Sequence, residues 1–220
     1  MSLPQHEPAI ETVDAFVLTG GKSSRMGTDK SRLKLKGQPL IQHALNILRR
    51  GGFNPRISGR ADLSQFAPVV PDREPLAGLG PLAGICAALS ASDAGYAVFL
   101  PVDVPLIPAA LVNYLHHYAA ITQSAVTVAS VAGFIQTFPA VIVGAAAPAL
   151  QVALGSGDRN CLKAFRAASN ALSKPFSALP LELLIQAGQI WHPAGLPAYA
   201  WFHNINSRHD FAYAEALITG

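Results

Sequence analysis

Glycines and cations are concentrated in one stretch, residues 18–30, which reads Leu-Thr-Gly-Gly-Lys-Ser-Ser-Arg-Met-Gly-Thr-Asp-Lys. It follows a short apolar segment, residues 13–18, of the kind that forms a buried parallel strand and then breaks at glycine. The paired glycines allow backbone N–H groups to approach phosphate oxygens, and Arg25 and Lys30 carry charge that neutralises phosphate. The pattern predicts a loop that binds a nucleoside triphosphate.

Two familiar phosphate-binding signatures are excluded. Gly21, Lys22 and Ser23 imitate the end of the GxxxxGK[ST] signature, but Phe16 stands where its first glycine is required. Residues 78–83, Gly-Leu-Gly-Pro-Leu-Ala, resemble GxGxxG only in part, because Pro81 is unsuited to the tight turn of a dinucleotide-binding fold. The loop at residues 18–30 is therefore not a P-loop, and a dinucleotide-binding turn at 78–83 has little support.

A single carboxylate follows a second apolar segment, in Phe-Leu-Pro-Val-Asp-Val-Pro-Leu-Ile-Pro at residues 99–108. Asp103 has two interpretations. It holds Mg²⁺ together with phosphate oxygens, as lone carboxylates do, or it caps the helix that follows. Its occurrence in one chain with the glycine-rich loop favours the metal.

The remaining pattern alternates between strands and helices. Predicted strands lie at 13–18, 55–58, 67–70, 96–100 and 125–130, and predicted helices at 41–50, 85–90 and 109–120, with 81–84 as a turn. A further helical run is expected to open at 155–160 and continue to Phe165, capped by Ser156 or Asp158. This order indicates an α/β protein with an open, mostly parallel sheet that binds ligands beyond the carboxyl ends of its strands.

Composition limits the class of protein. The chain has 220 residues, of which 50% are hydrophobic and 13% charged, which suits a sheet covered on both faces. We expect a flexible tail at 1–12 and one domain at 13–220. The net charge of +3 comes without aromatic interleaving, and no apolar run reaches the roughly 18 residues of a membrane span, so neither nucleic acid nor a membrane is an expected partner. Two cysteines outside any CxxC motif indicate a reduced, cytoplasmic protein.

Four motifs together resemble those of the molybdenum cofactor guanylyltransferase family, also called MobA-like nucleotidyltransferases. They are the loop at 18–30, Val-Pro-Asp at 70–72 with Gly-Pro-Leu-Ala-Gly-Ile at 80–85, the Asp103 segment, and Phe-His-Asn-Ile-Asn at 202–206. The resemblance covers about residues 13–217. The first motif is shared with cytidylyl and sugar-phosphate transferases, whereas the second and fourth favour the molybdopterin branch.

The resemblance implies a Rossmann-like three-layer sandwich of the nucleotide-diphospho-sugar transferase type. It implies Mg²⁺-dependent transfer of GMP from GTP to molybdopterin with release of pyrophosphate, and partners among molybdoenzymes or other cofactor-biosynthesis proteins. Arg25, Lys30 and Asp103 are the implied catalytic residues, with Asp103 as the metal ligand. The implied cofactor and nucleotide contacts are Leu18, Thr19, Gly20, Gly21, Lys22, Lys30, Asp72, Gly80, Asp103, Asn204 and Asn206.

For several of these residues a purely structural role is an alternative to the functional one. Asp72 reads guanine in the family pattern, but it also suits a turn. Asn204 and Asn206 lie two residues apart on an extended segment, so they would face the same side and bind metal-bound water or pterin, or Asn204 would hydrogen-bond a loop. The adjacent His116 and His117 do not share a helical face, which favours packing or surface positions over a metal pair.

The chain departs from the family pattern at three positions. Thr19 replaces the usual alanine and adds a hydroxyl beside the phosphates. Ser58 lies near the position of an asparagine that contacts the nucleotide, and Phe138 replaces a polar residue or histidine before a proline near the pterin.

Two alternatives to a guanylyltransferase remain open at the level of sequence. One is a transferase with a different specificity, either a cytidylyltransferase of the same cofactor or a transferase for another phosphorylated acceptor. The other is a non-catalytic module that binds a nucleotide or a protein partner. Nucleotide preference separates the first from the guanylyltransferase, and turnover separates the second.

Base selection gives a direct test of Asp72. A carboxylate accepts hydrogen bonds from both N1–H and the 2-amino group of guanine, which cytosine does not present. Asp72→Asn should therefore lower the preference for GTP over CTP by about 10-fold or more, because one acceptor becomes a donor. The ratio of kcat/KM values for the two nucleotides measures it, and an unchanged ratio would assign base reading to another residue.

Overall fold

Strands and helices alternate along the chain in the computed structural model, which describes residues 12–19, 30–71, 78–157 and 159–219. The strands are β1 (Val13–Leu18), β2 (Lys34–Leu35), β3 (Gln38–Pro39), β4 (Pro55–Gly59), β5 (Val69–Pro71), β6 (Tyr96–Pro101), β7 (Val126–Val131), β8 (Phe134–Val143) and β9 (Phe176–Pro180). The helices are α1 (Leu40–Arg50), α2 (Pro81–Ser90), α3 (Ala109–Thr122), α4 (Ala147–Gly155), α5 (Cys161–Ala171), α6 (Leu181–Gln186), α7 (Ala198–Trp201) and α8 (Arg208–Thr219).

Seven of the strands in the described ranges form one sheet, in the order β5-β4-β1-β6-β8-β7-β9, while β2 and β3 form a separate hairpin. β5, β4, β1 and β6 are mutually parallel, and β7 pairs in parallel with β9. β8 is antiparallel to both of its neighbours. The predicted α/β class with a mostly parallel central sheet is confirmed, and the carboxyl ends of β1, β4 and β6 meet at one edge.

Burial explains why β6 and the second half of β1 are apolar. Phe16 of β1 and Phe99 of β6 are both 0% exposed, and their rings stack with centroids 5.5 Å apart. The guanidinium of Arg56 lies over the Phe16 ring and forms an ion pair with Asp14. A central parallel strand is covered on both faces, so a polar residue in its middle would lose hydration without a partner.

The first helix shows how the helices cover the sheet. The residues of α1 that face the core lie one turn apart along one side, namely Leu40, Ile41, Ala44, Leu45 and Leu48. Arg49 and Arg50 occupy its last turn, where the helix dipole favours cations. Gly52 follows the helix with φ of +86°. Among the described residues, no helix has both the length and the apolar character that crossing a membrane requires.

Two predicted helix starts were wrong. α2 begins at Pro81, so residues 81–84 form its first turn and not a separate turn before it. Proline suits the first helical position, because its N–H would have no partner there and its φ is already helical. α5 begins at Cys161 and is capped by Asn160, whose side chain accepts a hydrogen bond from the Lys163 N–H at 3.0 Å. The expected caps fail: Ser156 follows the end of α4, and Asp158 lies outside the described residues.

His116 of α3 packs against neighbouring aromatic rings, in keeping with the expected structural role. Its ring meets the edges of Phe53 and Tyr96 at centroid distances of 5.7 and 6.3 Å, whereas His117 is exposed. Within the described part of the chain, the buried Nε2 of His116 has no hydrogen-bond partner. Burial, followed by the nearby charge of His117, lowers the pKa of His116 below its ordinary value of 6.5.

Acid should therefore destabilise the fold through His116. The unfolded chain takes up a proton on this histidine at a higher pH than the folded protein does. The stability that the neutral ring contributes is thus present above the unfolded pKa and is lost as the pH falls towards the folded pKa. His116→Phe should reduce the loss of unfolding free energy between pH 7.5 and 5.5, measured by urea denaturation. His209→Gln, at an exposed position, is the control, and equal pH dependence in wild type and His116→Phe would contradict the assignment.

Candidate active site

The candidate site lies where β1, β4 and β6 end. Leu18 is in register with Ser58 of β4 and with Pro101 of β6, so the residues that follow these strands emerge side by side. The Val102 N–H donates to the Leu18 carbonyl at 3.1 Å, which extends the pairing one residue beyond β6. Thr19 and Asp103 are thereby held at the same edge of the sheet.

The Thr19 hydroxyl links the end of β1 to the end of β4. It donates to the Ser58 carbonyl at 3.0 Å, and the Thr19 N–H donates to the same oxygen at 3.1 Å. Thr19 is 8% exposed and Leu18 4%. In this conformation the Thr19 hydroxyl donates to the neighbouring strand, and its position beside the phosphates stays a prediction.

Ser58 also serves the framework. Its side chain is buried, at 1% exposure, and its Oγ donates to the Gly84 carbonyl at 2.9 Å. This bond fastens the first turn of α2 to the end of β4. The Ser58 hydroxyl thus forms part of the framework at the position where relatives have asparagine.

Gly80 forms the entry to α2. It has φ of +94°, a left-handed conformation that side chains resist, and the Ala83 N–H donates to its carbonyl at 3.2 Å. α2 begins at the same edge of the sheet, because it follows the parallel strand β5. Free N–H groups at a helix N-terminus favour anions, so this turn suits a phosphate or a polar base edge.

Asp103 lies in the turn after β6 and is half-buried. Burial raises the pKa of its carboxyl above the ordinary range, and the positive charge of Lys30, with the Asp103 N–H, opposes that shift. The interpretation of Asp103 as a helix cap was wrong, because α3 begins at Ala109 and has Pro108 at the cap position. The Asp103 carboxyl is therefore partly buried, and the charge of Lys30 acts on it.

Three residues distant in sequence meet at this edge. Lys30 donates from Nζ to Oδ1 of Asn206 at 2.6 Å, and its charge acts on Asp103. The Asp103 carbonyl accepts the Ile205 N–H at 2.9 Å. Ile205 is buried while Asn204 and Asn206 on either side are exposed, which is the alternation expected of an extended segment.

Other residues of the predicted site lie outside the described ranges. These are Gly20, Gly21, Lys22, Arg25 and Asp72. Within the described ranges, no group of three or more His, Cys, Asp or Glu side chains is gathered as a metal site.

A cavity of about 210 Å³ opens beside the Asp103 turn. Its lining comes from the end of β6 and the turn after it, the start of β8 and the segment 202–206. The lining residues are Pro101, Val104, Ile135, Gln136, Thr137, Phe138, Phe202 and Asn204. The β8 register with β7 shifts between Thr127 and Ala129, so residues 137–140 bulge out of that ladder. Bulges of this kind redirect side chains at functional sites.

Sequence reasoning missed two parts of this surface. Gln136 and Thr137 line the cavity, but only the register shift in β8 identifies them. Arg60 follows β4 at the same edge and binds Asp62 at 2.7 Å, while Arg32 binds the same carboxylate at 3.0 Å. These hydrogen bonds, first from Arg60 and then from Arg32, lower the pKa of Asp62. An arginine placed directly after a parallel strand was the available signal.

The fold is shared with a solved structure. Over 94% of this chain and 98% of the other, the structure superposes with a TM-score of 0.74 on the crystal structure of molybdopterin-guanine dinucleotide biosynthesis protein A from Archaeoglobus fulgidus, at 23% identity. At its carboxyl edge the sheet of this chain carries a cation, a carboxylate and two asparagines.

The sequence model of the MobA-like NTP transferase domain matches residues 15–172. The molybdenum cofactor guanylyltransferase of Serratia proteamaculans is 32% identical over 205 residues, which are 91% of this chain and 92% of that protein. That of Xanthomonas euvesicatoria is 42% identical over 102 residues, a match that spans about half of each protein, 45% and 51%. The chain belongs to the MobA-like NTP transferase family.

Ser58→Ala tests the framework beneath the site. The variant removes the bond from a buried hydroxyl to the Gly84 carbonyl, which keeps its helical donor, so the free energy of unfolding should fall by about 1 kcal/mol. Ser64→Ala, at an exposed serine, should change it by less than about 0.5 kcal/mol. Denaturant titration measures both, and a Ser58→Ala protein as stable as wild type would show that the bond contributes nothing.

Proposed function

We propose that the protein is a Mg²⁺-dependent guanylyltransferase that transfers GMP from GTP to molybdopterin and releases pyrophosphate. The observation that carries the proposal is the meeting of Lys30, Asn206 and the Asp103 turn at the carboxyl edge of the sheet. Family membership limits the chemistry to nucleotidyl transfer, and the two curated relatives compared above are named guanylyltransferases. A cytidylyltransferase is the less favoured reading.

The donor set at Asp103 fits Mg²⁺. A single carboxylate with phosphate oxygens and water as co-ligands is a common protein site for this ion. The burial that raises the pKa of Asp103 also favours a cation beside it, because a partner charge offsets the lost hydration. When bound, Mg²⁺ would neutralise charge on the phosphate oxygens and align them.

The cations of the chain would act on the same phosphates. Lys30 is fixed by Asn206, which leaves two of its three ammonium hydrogens for phosphate oxygens. Arg25 would add a planar, bidentate donor. Positioning and charge neutralisation supply most of the rate in phosphoryl transfer, so no covalent intermediate on the enzyme is needed.

The nucleophile belongs to the acceptor. A terminal phosphate oxygen of molybdopterin forms a bond to the α-phosphorus of GTP, and the bond from that phosphorus to the bridging β-oxygen breaks, which releases pyrophosphate. Asp72 reads the guanine, and the turn at Gly80 faces the nucleotide. The nucleotide also contacts Leu18, Thr19 and the paired glycines Gly20 and Gly21.

The cavity beside Asp103 suits the acceptor. Gln136, Thr137 and Asn204 offer donors and acceptors for a pterin edge, and Phe138 and Phe202 offer apolar surface. Phe138 is held edge-on against Phe165, with ring centroids 6.1 Å apart. The reaction would take place in the cytoplasm, in keeping with the free, buried thiols of Cys86 and Cys161, with molybdoenzymes or other cofactor-biosynthesis proteins as partners.

Replacement of Asp103 tests the proposal. Asp103→Ala removes the metal ligand from a strand end, so Mg²⁺-dependent GMP transfer should fall by about 100-fold or more, while the melting temperature stays near that of wild type. Transfer is measured as pyrophosphate release with GTP, CTP, ATP or UTP as donor and molybdopterin as acceptor.

The matched control is Asp93→Asn, at an exposed carboxylate before β6, at the opposite edge of the sheet. It should retain full turnover. Selective use of GTP supports the proposal, and preference for CTP would replace it with cytidylyl transfer. Near-normal turnover in Asp103→Ala would eliminate the metal role, and nucleotide binding without transfer in wild type would indicate a non-catalytic module.

A further inference from the structure

The segment that carries Asn204 and Asn206 is anchored at one point to the sheet and at another to α8. The first anchor is Ile205, whose side chain is 0% exposed and whose N–H donates to the Asp103 carbonyl at 2.9 Å. This bond fixes the path of the backbone. It does not fix the orientation of the exposed Asn206 side chain that follows.

The second anchor is Asp210. Its Oδ2 accepts the Asn206 backbone N–H at 2.9 Å, while its own N–H donates to the Ser207 hydroxyl at 3.2 Å. Ser207 stands directly before α8 and caps it. In an ordinary capping box the acidic side chain returns to the N–H of the cap residue, whereas this carboxylate also reaches the residue before it.

The environment of the Asp210 carboxylate favours its charged form, which accepts the Asn206 N–H. The Asn206 N–H, followed by the hydroxyl and N–H of Ser207 and the charge of His203, lowers its pKa below the ordinary range. It is therefore a full anion, and a strong acceptor, at neutral pH. His203 lies close by, with its Nε2 3.1 Å from the Asp210 carbonyl oxygen.

The chain of contacts continues into the site. With its backbone held by Asp210, Asn206 places Oδ1 2.6 Å from Nζ of Lys30. Lys30 is long and partly exposed, and a free lysine side chain samples many rotamers. The bond to the Asn206 side-chain carbonyl favours the rotamer from which the charge of the ammonium acts on Asp103.

We propose that Asp210 is a positioning residue of the transfer reaction, which acts through Asn206 to hold Lys30 at the phosphates without touching the substrate itself. This inference rests on the proposed function. It assigns α8, which lies outside the matched family model, a part in the chemistry.

Ser207 provides the matched control, because it separates positioning from helix capping. Both Ser207→Ala and Asp210→Ala remove a contact at the start of α8, so both should lower stability to a similar small extent. Only Asp210→Ala removes the contact to Asn206. Asp210→Asn keeps an oxygen that accepts the Asn206 N–H and should restore it.

The experiment combines two readouts on wild type, Asp210→Ala, Asp210→Asn and Ser207→Ala. The first is the NMR resonance of ¹⁵Nζ of Lys30 together with hydrogen exchange of the Asn206 amide, both in the protein without substrate. The second is kcat/KM for Mg²⁺-GTP. Asp210→Ala should shift the Lys30 resonance, remove protection at Asn206 and lower kcat/KM by about 10- to 100-fold, as expected for a misplaced group. Asp210→Asn and Ser207→Ala should each stay within about 3-fold of wild type.

The double variant Asp210→Ala with Asn206→Ala should be no slower than Asn206→Ala alone, since both residues act through one contact. Equal losses in Ser207→Ala and Asp210→Ala, or an unmoved Lys30 resonance, would overturn the proposal. So would a displaced Lys30 with unchanged kcat/KM. An absence of GMP transfer in wild type would refute the proposed function, and with it the catalytic part of this inference, while the resonance and exchange data would still decide whether Asp210 positions Lys30.

Discussion

One hydrogen bond, from the Ile205 N–H to the Asp103 carbonyl, governs how the site is assembled. On its other side, the turn at Asp103 is tied to β1 through the bond from Val102 to Leu18. The carboxylate is therefore held between the first strand of the sheet and a segment near the end of the chain. Because both ties are backbone bonds, they constrain the path of the chain and leave the side chains of the neighbouring asparagines free for contacts.

The sheet separates stability from chemistry. β1 and β6 are buried at their centres and carry no proposed site residue there, whereas Thr19 and Asp103 lie just after these strands end. Thr19 and Ser58 lie between the two regions, since their hydroxyls hydrogen-bond the end of β1 to β4 and β4 to α2. Groups held by such bonds move little, which is what a site that relies on positioning requires.

Local sequence patterns predicted most of the strands and helices but not the contacts between residues distant in sequence. The strand before the loop has the bounds that its apolar run predicted, and Asp103 was identified because a lone acid between prolines is conspicuous. The start of α2 and the cap of α5 were misread, since proline and asparagine each suit several local structures. The bond between Lys30 and Asn206 spans 176 residues, and the contacts of Arg60 and Gln136 depend on neighbouring strands, so no local pattern could reveal them.

The bulge in β8 constrains how this surface can change in evolution. Gln136, Thr137 and Phe138 belong to β8, which pairs with β7 on either side of the bulge and with β6 beyond it. An insertion or deletion there would shift the register and turn every following side chain to the opposite face. New acceptor preferences can therefore arise by exchange of side chains within a fixed length, so related sequences should vary in composition here while their alignments remain free of gaps.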